Sequence, residues 1–197
     1  MAFLSREEFD AIEFDAACTG DHNAAAERMT ELAATGEQTE SMPRAEAFVR
    51  AGEQWLLADN PSAAADGFRM AIADGGPVDV DPRAPLCRAL FQLGRDDEAY
   101  AIIAELESAG RTDPRVCDLI TELLVEQSDL AAALEWATAG VELILQGAGS
   151  GRSSDGPAIG AGKTGTDTYS GLAELLRLRY RIRNDLRLPE DEYDRML

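Results

Sequence analysis

A helical hairpin recurs four times between residues 6 and 146, and this recurrence constrains the fold more than any other feature. Apolar residues stand four and seven residues after a small anchor residue, and nine and thirteen residues before it. That spacing places them on one face of each of two helices. A turn-forming residue stands five residues before each anchor, at Gly20, Asp59, Gly94 and Ser128. The anchors, at intervals of 39, 35 and 34 residues, are Ala25, Ala64, Ala99 and Ala133. The pattern predicts an all-α fold in which stacked hairpins bury one another's apolar faces.

The clearest copy of the hairpin is the stretch from Ala45 to Pro77. Its first helix carries Phe48, Gly52 and Trp55, and its second carries Ala64, Phe68 and Ala71. This pattern resembles the tetratricopeptide repeat, and the resemblance covers roughly residues 6–146. It implies a right-handed α-solenoid of helix-turn-helix repeats. The alternative is an ordinary helical bundle with alanine-rich faces. Prolines between the units favour the repeat, and they are Pro43, Pro77, Pro82 and Pro114.

The composition changes after Gln146. We assign residues 1–146 to the repeat domain, residues 147–168 to a flexible Gly/Ser-rich linker, and residues 169–197 to an Arg-rich amphipathic helix with an acidic tail. The expected apolar stripe of this helix is Leu172, Leu175, Leu178, Ile182 and Leu186. We expect the helix to cap the last repeat. The alternative is an intramolecular contact in which residues 169–188 return to the acidic body.

The charge of the chain is strongly one-sided. Residues 1–146 carry 29 acidic and 10 basic side chains, which is the whole of the net charge of −19. Such a surface repels phosphates, so we expect no nucleic-acid partner. No apolar run approaches the ~20 residues that a membrane helix needs, and MAFLSREEFD lacks a signal-peptide pattern. The cysteines fit neither a disulfide framework nor a metal motif, which predicts free thiols and a cytoplasmic protein: Cys18, Cys87 and Cys117.

No motif in the chain predicts catalysis. The string Gly160–Thr164 (GAGKT) resembles a phosphate-binding loop, but the glycine that such a loop requires at position 157 is Pro157. The single histidine, His22, stands in a turn where Asp21, His22 or Asn23 is expected to cap the next helix. We therefore expect no enzyme activity, no catalytic residue, no cofactor and no metal.

The resemblance implies that the first helix of each pair lines a concave groove. Family members that clamp a C-terminal carboxylate use Lys and Asn there, whereas this chain has Asp10, Phe14 and Asp81 at corresponding sites. The expected function is a non-catalytic protein–protein interaction scaffold that binds a basic or amphipathic peptide or helix. The candidate groove residues are Glu7, Asp10, Phe14, Glu46, Val49, Glu53, Leu56, Arg88, Phe91, Asp118 and Glu122.

Two other interpretations remain open at this level. One is a structural or oligomerising module, a homo-oligomer in which the groove or the C-terminal helix packs on another copy. The other is that the acidic residues are only the solvated faces of an acidic protein.

Overall fold

The chain was analysed as a computed structural model that describes residues 3–150 and 165–197, with side chains described over 3–147 and 171–197. The described residues are helical apart from turns, loops and one isolated β-bridge between Phe3 and Glu37. In chain order the α-helices are α1 (Arg6–Thr19), α2 (His22–Thr35), α3 (Arg44–Leu57), α4 (Pro61–Asp74), α5 (Arg83–Gln92), α6 (Asp96–Ser108), α7 (Pro114–Glu126), α8 (Leu130–Ser150) and α9 (Gly165–Asp185), followed by the 3₁₀ turn Asp194–Met196.

Helices that follow one another in the chain pack against one another. In the first compact unit, Met1–Ser108, each of α1 to α5 contacts its successor. In the second compact unit, Ala109–Leu197, α7 contacts α8 and α8 contacts α9. The predicted all-α class and the packing of neighbouring helices in sequence order are therefore confirmed over the described residues. Within the second unit α9 packs on α8, which is the position expected for a helix that caps the last repeat.

The turn inside each hairpin has the same backbone geometry. The φ angles of Gly20, Asp59, Gly94 and Ser128 are all positive, at 79°, 56°, 68° and 63°. Three of these turns also share one backbone hydrogen bond. The amide of the residue after the turn residue donates to the carbonyl five residues before it, as Asn60 donates to Trp55 at 2.9 Å. The equivalent bonds run from Arg95 to Leu90 and from Asp129 to Leu124, both at 2.9 Å. The predicted turn positions are confirmed.

The four anchor residues lie in the core, since Ala25, Ala64, Ala99 and Ala133 are all buried. Small size matters most at Gly52, where a Cβ atom would lie 2.6 Å from the ring of Phe68. Each hairpin therefore depends on small residues that let two backbones approach closely.

The junctions between helices show why each helix begins where it does. Pro43 and Pro82 stand immediately before α3 and α5, and Pro114 opens α7. Asp21 accepts a hydrogen bond from the Ala24 amide at 3.0 Å, which confirms the expected N-cap of α2. Proline and capping side chains remove or satisfy amides that have no partner in the first turn of a helix.

Both ends of the segment expected to be a flexible linker, residues 147–168, are helical in the structure. Residues 147–150 belong to α8, and residues 165–168 belong to α9. Residues 151–164, including the GAGKT string, lie outside the described residues. Glycine and serine weaken a helix without forbidding it, so composition alone misplaced both ends of this segment.

The face of α9 that packs on α8 contains both buried apolar side chains and a buried arginine. Leu175, Leu176 and Ile182 are buried, whereas Leu172, Leu178 and Leu186 of the predicted stripe are only half-buried. Gly140 of α8 gives Leu175 room, because a Cβ atom there would lie 2.5 Å from its Cδ2 atom. The sequence pattern did not predict that an arginine, Arg179, would be buried in the middle of this face.

The acidic tail neutralises the arginines of α9. Arg179 donates to Thr138 at 3.0 Å and forms ion pairs with Asp191 at 2.5 Å and Asp194 at 3.1 Å. Arg183 pairs with the same two carboxylates at 3.0 and 2.9 Å. The side chains of Arg179 and Asp194 are each only 4% exposed, so removing either one would leave the other, a buried charge, with one of its two ion pairs. The hydrogen bond from Arg179 helps to hold the pKa of Asp191 at about 2.

Within residues 3–150 and 165–197, each helix is too short or too polar to cross a bilayer.

We predict that Gly52→Ala destabilises the first unit, because the added methyl group would overlap the buried ring of Phe68. The expected cost is ~1–3 kcal/mol in the free energy of unfolding, measured by chemical denaturation with circular dichroism. Gly171→Ala is the matched control, since nothing lies within 4 Å of a Cβ atom there. That change should be neutral or stabilising by about 0.5–1 kcal/mol. Equal melting of Gly52→Ala and the native chain would contradict the close α3–α4 contact.

Candidate functional site

The most strongly charged arrangement in the first unit joins α1 to α3. Arg50 of α3 pairs with Asp10 at 2.6 Å and with Glu13 at 2.5 Å, and its guanidinium also lies 5.6 Å from the centre of the Phe9 ring. The Arg50 side chain is only 9% exposed, so the pairs are shielded from solvent. Although burial opposes the charge, the hydrogen bonds that Arg50 donates to Glu13 and Asp10 raise its pKa above the usual value. We call Asp10, Glu13, Glu46, Arg50 and Glu53 the acidic cluster.

Glu53 carries the charge in this cluster that is least compensated. Desolvation by the surrounding protein, and then the charges of Glu13 and Glu46, raise its pKa to about 7. Arg50 opposes this shift but already pairs with Asp10 and Glu13. The residue still exposes more than a third of its surface, which is the combination expected in a recess, where a side chain is crowded yet reachable by water. A neighbouring cation would relieve the repulsion.

Two predicted groove residues are not exposed in the structure. Glu46 is buried and accepts a hydrogen bond from the Asp79 amide at 2.9 Å. Val49 is only 3% exposed. The expectation that both would be accessible was wrong. The α3 helix is covered by both α2 and α4, so less of its surface remains free than an isolated hairpin would show.

The other predicted residues of the first unit form an accessible surface of mixed character. Glu7 and Asp10 are exposed, and Phe14 is 73% exposed, which is unusual for so large an apolar side chain. Leu56, Arg88 and Phe91 are half-buried.

The remaining two predicted groove residues belong to the second unit. Asp118 and Glu122 of α7 line a cleft of about 270 Å³ with Glu174, Arg177 and Arg181 of α9. Burial, followed by the charges of Glu122 and Glu174, raises the pKa of Asp118. Two arginines thus lie beside the acidic residues of this cleft. The eleven predicted positions are therefore divided between two compact units.

The most important residue of the acidic cluster, Arg50, was missed by sequence reasoning. The available signal was Glu13, which stands at the register position that Gly52, Cys87 and Thr121 occupy in the other hairpins. A carboxylate at a position that is otherwise small and packed needs a cationic partner.

The other reactive groups are placed unfavourably for chemistry. Burial raises the pKa of the Cys87 thiol to about 12 and that of the Cys117 thiol to about 11, so both remain protonated and inert near neutral pH. His22 Nδ1 lies 2.9 Å from Gln54 Oε1, an arrangement that holds α2 against α3. Over the described part of the chain, no group of three or more His, Cys, Asp or Glu side chains could hold a metal ion.

Comparison of the chain with family models, with curated proteins and with solved structures returned no match.

The raised pKa of Glu53 predicts a pH-dependent stability difference. The pKa of the Glu53 carboxyl group rises from 4.5 to about 7 on folding, so its protonated form favours the folded state. This contribution to the free energy of unfolding is fully present below pH 4.5. That contribution is lost as the pH rises through about 7. Glu53→Gln should therefore have the same stability as the native chain at pH 4. At pH 8 it should melt at a higher temperature, with a gain of less than about 1 kcal/mol in the free energy of unfolding because solvent screens the charge. Thermal melts across this range test the prediction, with Glu40→Gln as control; a difference that is constant with pH would contradict it.

Proposed function

We propose that this protein is a non-catalytic interaction scaffold that binds a basic amphipathic helix, or an Arg/Lys-rich segment, on the first helices of its hairpins. In this proposal the hairpins form a right-handed solenoid of tetratricopeptide-like repeats, and the binding surface is its concave side. The observation that carries the proposal is the uncompensated carboxylate of Glu53 on a surface that also exposes Phe14.

Electrostatics favour a basic ligand over an acidic or neutral one. A Lys or Arg side chain placed beside Glu53 would restore its ionised form, so part of the repulsion within the acidic cluster would be released on binding. Binding would then be accompanied by loss of a proton from Glu53 near pH 7, and it would strengthen as the pH rises through that value.

The apolar part of the surface supplies an anchor for such a ligand. Phe14 and Glu53 stand at the same distance before their anchors, eleven residues in each case, so they occupy equivalent places on α1 and α3. Arg88 occupies this place on α5. An exposed aromatic ring on α1 and an incompletely compensated carboxylate on α3 suit an amphipathic segment whose apolar face covers the ring while its basic flank meets the acid.

The remaining elements of the proposal follow from charge and thiol chemistry. The net charge of −19 opposes binding of nucleic-acid phosphates. Three free cysteines suit a reducing compartment, for which the cytoplasm is our proposed location. A role for α9 as an oligomerising element is less well supported, because its apolar residues already pack on α8 of the same chain.

The proposal is tested with a labelled peptide of about 14 leucine and lysine residues whose leucines repeat at three- and four-residue steps. Fluorescence anisotropy should show saturable binding that weakens about tenfold in Phe14→Ala and in Glu53→Gln. The matched controls are Leu57→Ala, which removes another exposed apolar side chain on α3, and Glu40→Gln, which removes another exposed carboxylate. Both should leave affinity within about twofold.

Three results would overturn the proposal. The first is absence of binding, and the second is equal loss of affinity in the control variants. The third is equally tight binding of a peptide with the same composition but scrambled order, which would reduce the interaction to bulk charge attraction.

A further inference from the structure

A groove of about 470 Å³ runs between α1 and α2, on a face of the first hairpin distinct from the acidic cluster. Its floor contains Ala11, Ile12, Ala16 and Ala25. Ala16 and Ala25 are buried, Ile12 is half-buried and Ala11 is exposed. The groove is thus an accessible apolar strip along a pair of helices.

The other hairpins of the first unit show what covers the equivalent face. The residues of α3 that correspond to Ala11, Ile12 and Asp15 are Arg50, Ala51 and Gln54, and all three are buried. The corresponding residues of α5 are Pro85, Leu86 and Ala89, and these are also buried.

In α3 this face meets both helices of the preceding hairpin, since Asp10 and Glu13 of α1 pair with Arg50 and His22 of α2 pairs with Gln54. The α2 helix contacts α3, and His22 and Thr30 of α2 make side-chain hydrogen bonds to Gln54 and Trp55 of α3 at 2.9 and 3.0 Å. The α4 helix contacts α5 in the same order. The same register positions of α1 are accessible in the structure, since Ala11 and Asp15 are exposed and Ile12 is half-buried.

The rim of the groove indicates the charge of a helix that would bind there. Glu8, Asp15 and Asp21 contribute three carboxylates. Arg28 is the only basic residue in the lining, and it already pairs with Glu8 at 3.4 Å and with Glu31 at 3.2 Å. A second copy of the chain meeting this face symmetrically would oppose like carboxylates. Head-to-tail stacking is also disfavoured, because α8, the last second helix, is covered by α9.

We infer that the α1–α2 groove is a docking site for a basic amphipathic helix of a partner protein, which packs on α1 as α2 packs on α3. Aliphatic side chains of the partner fill the strip above Ala11 and Ile12, and its Lys or Arg side chains meet Asp15 and Asp21. This site is separate from the surface around Phe14 and Glu53. An experiment can therefore contradict one of the two binding proposals without contradicting the other.

The probe is a synthetic peptide with the sequence of residues 21–35 carrying Glu27→Lys and Glu31→Lys, blocked at both ends and labelled. It reproduces the helix that covers α3, and both substituted residues are exposed in the protein. Anisotropy with the full chain should show saturable binding that weakens with added salt. The unmodified peptide, with its acidic residues retained, should bind at least about tenfold more weakly.

Substitutions on α1 locate the binding. Ala11→Arg should weaken binding by about tenfold or more, whereas Ala17→Arg, at an exposed position outside the groove, should change it less than about twofold. Asp15→Lys provides a second test on the rim and should weaken binding several-fold. Circular dichroism verifies that all variants remain helical. Phe14→Ala should leave binding of this peptide unchanged.

Any of four outcomes overturns the inference. The first is undetectable binding, and the second is binding that Ala11→Arg does not weaken. The third is loss of binding in Phe14→Ala, which assigns the peptide to the other surface. The fourth is a dimer in sedimentation that Ala11→Arg dissociates, which assigns the groove to a second copy of the chain.

Discussion

The close approach of two helix backbones within each hairpin is the contact on which the rest of the structure depends. Gly52 against Phe68 in the α3–α4 hairpin, and Gly140 against Cys117 in the α7–α8 hairpin, leave no room for a Cβ atom. A left-handed residue at each turn directs the chain back into that contact, and at Asp59 and Ser128 a non-glycine residue adopts this less favourable conformation. Because each hairpin then presents one apolar face to the next, stability is shared between neighbours.

Charge is handled differently in the interior and on the surface. Arg50 and Arg179 are both buried, and each is held by two carboxylates that come from another element of the same compact unit. These pairs join elements at specific points, because a buried charge without its partner is costly. The surface retains many more carboxylates than cations, and Glu53 lies where this excess is least relieved. The proposed preference for basic partners therefore follows from the same excess of acid that the buried pairs only partly neutralise.

The sequence predicted the helices better than it predicted the surface. Periodicity located the anchors Ala25 to Ala133 and their turns, because burial on one helix face imposes a spacing that can be read directly. Exposure of Glu46 and Val49 was predicted wrongly, since it depends on which neighbouring helices cover α3. The pairing of Arg50 with Asp10 and Glu13 spans about 40 residues, and no local pattern encodes it. The ends of α8 and α9 were obscured by glycine and serine, whose cost in a helix is small enough for packing to override.

Hydrogen exchange of the full chain, with and without the leucine–lysine peptide, tests the central claim most directly. The account predicts that amides of α1 and α3 exchange more slowly with the peptide bound, because the ligand reduces local opening of the helices that it covers. Amides of α6, which carries none of the proposed contact residues, should exchange at unchanged rates. Protection spread evenly over the chain, or confined to α7–α9, would contradict the assignment of binding to the surface around Phe14 and Glu53.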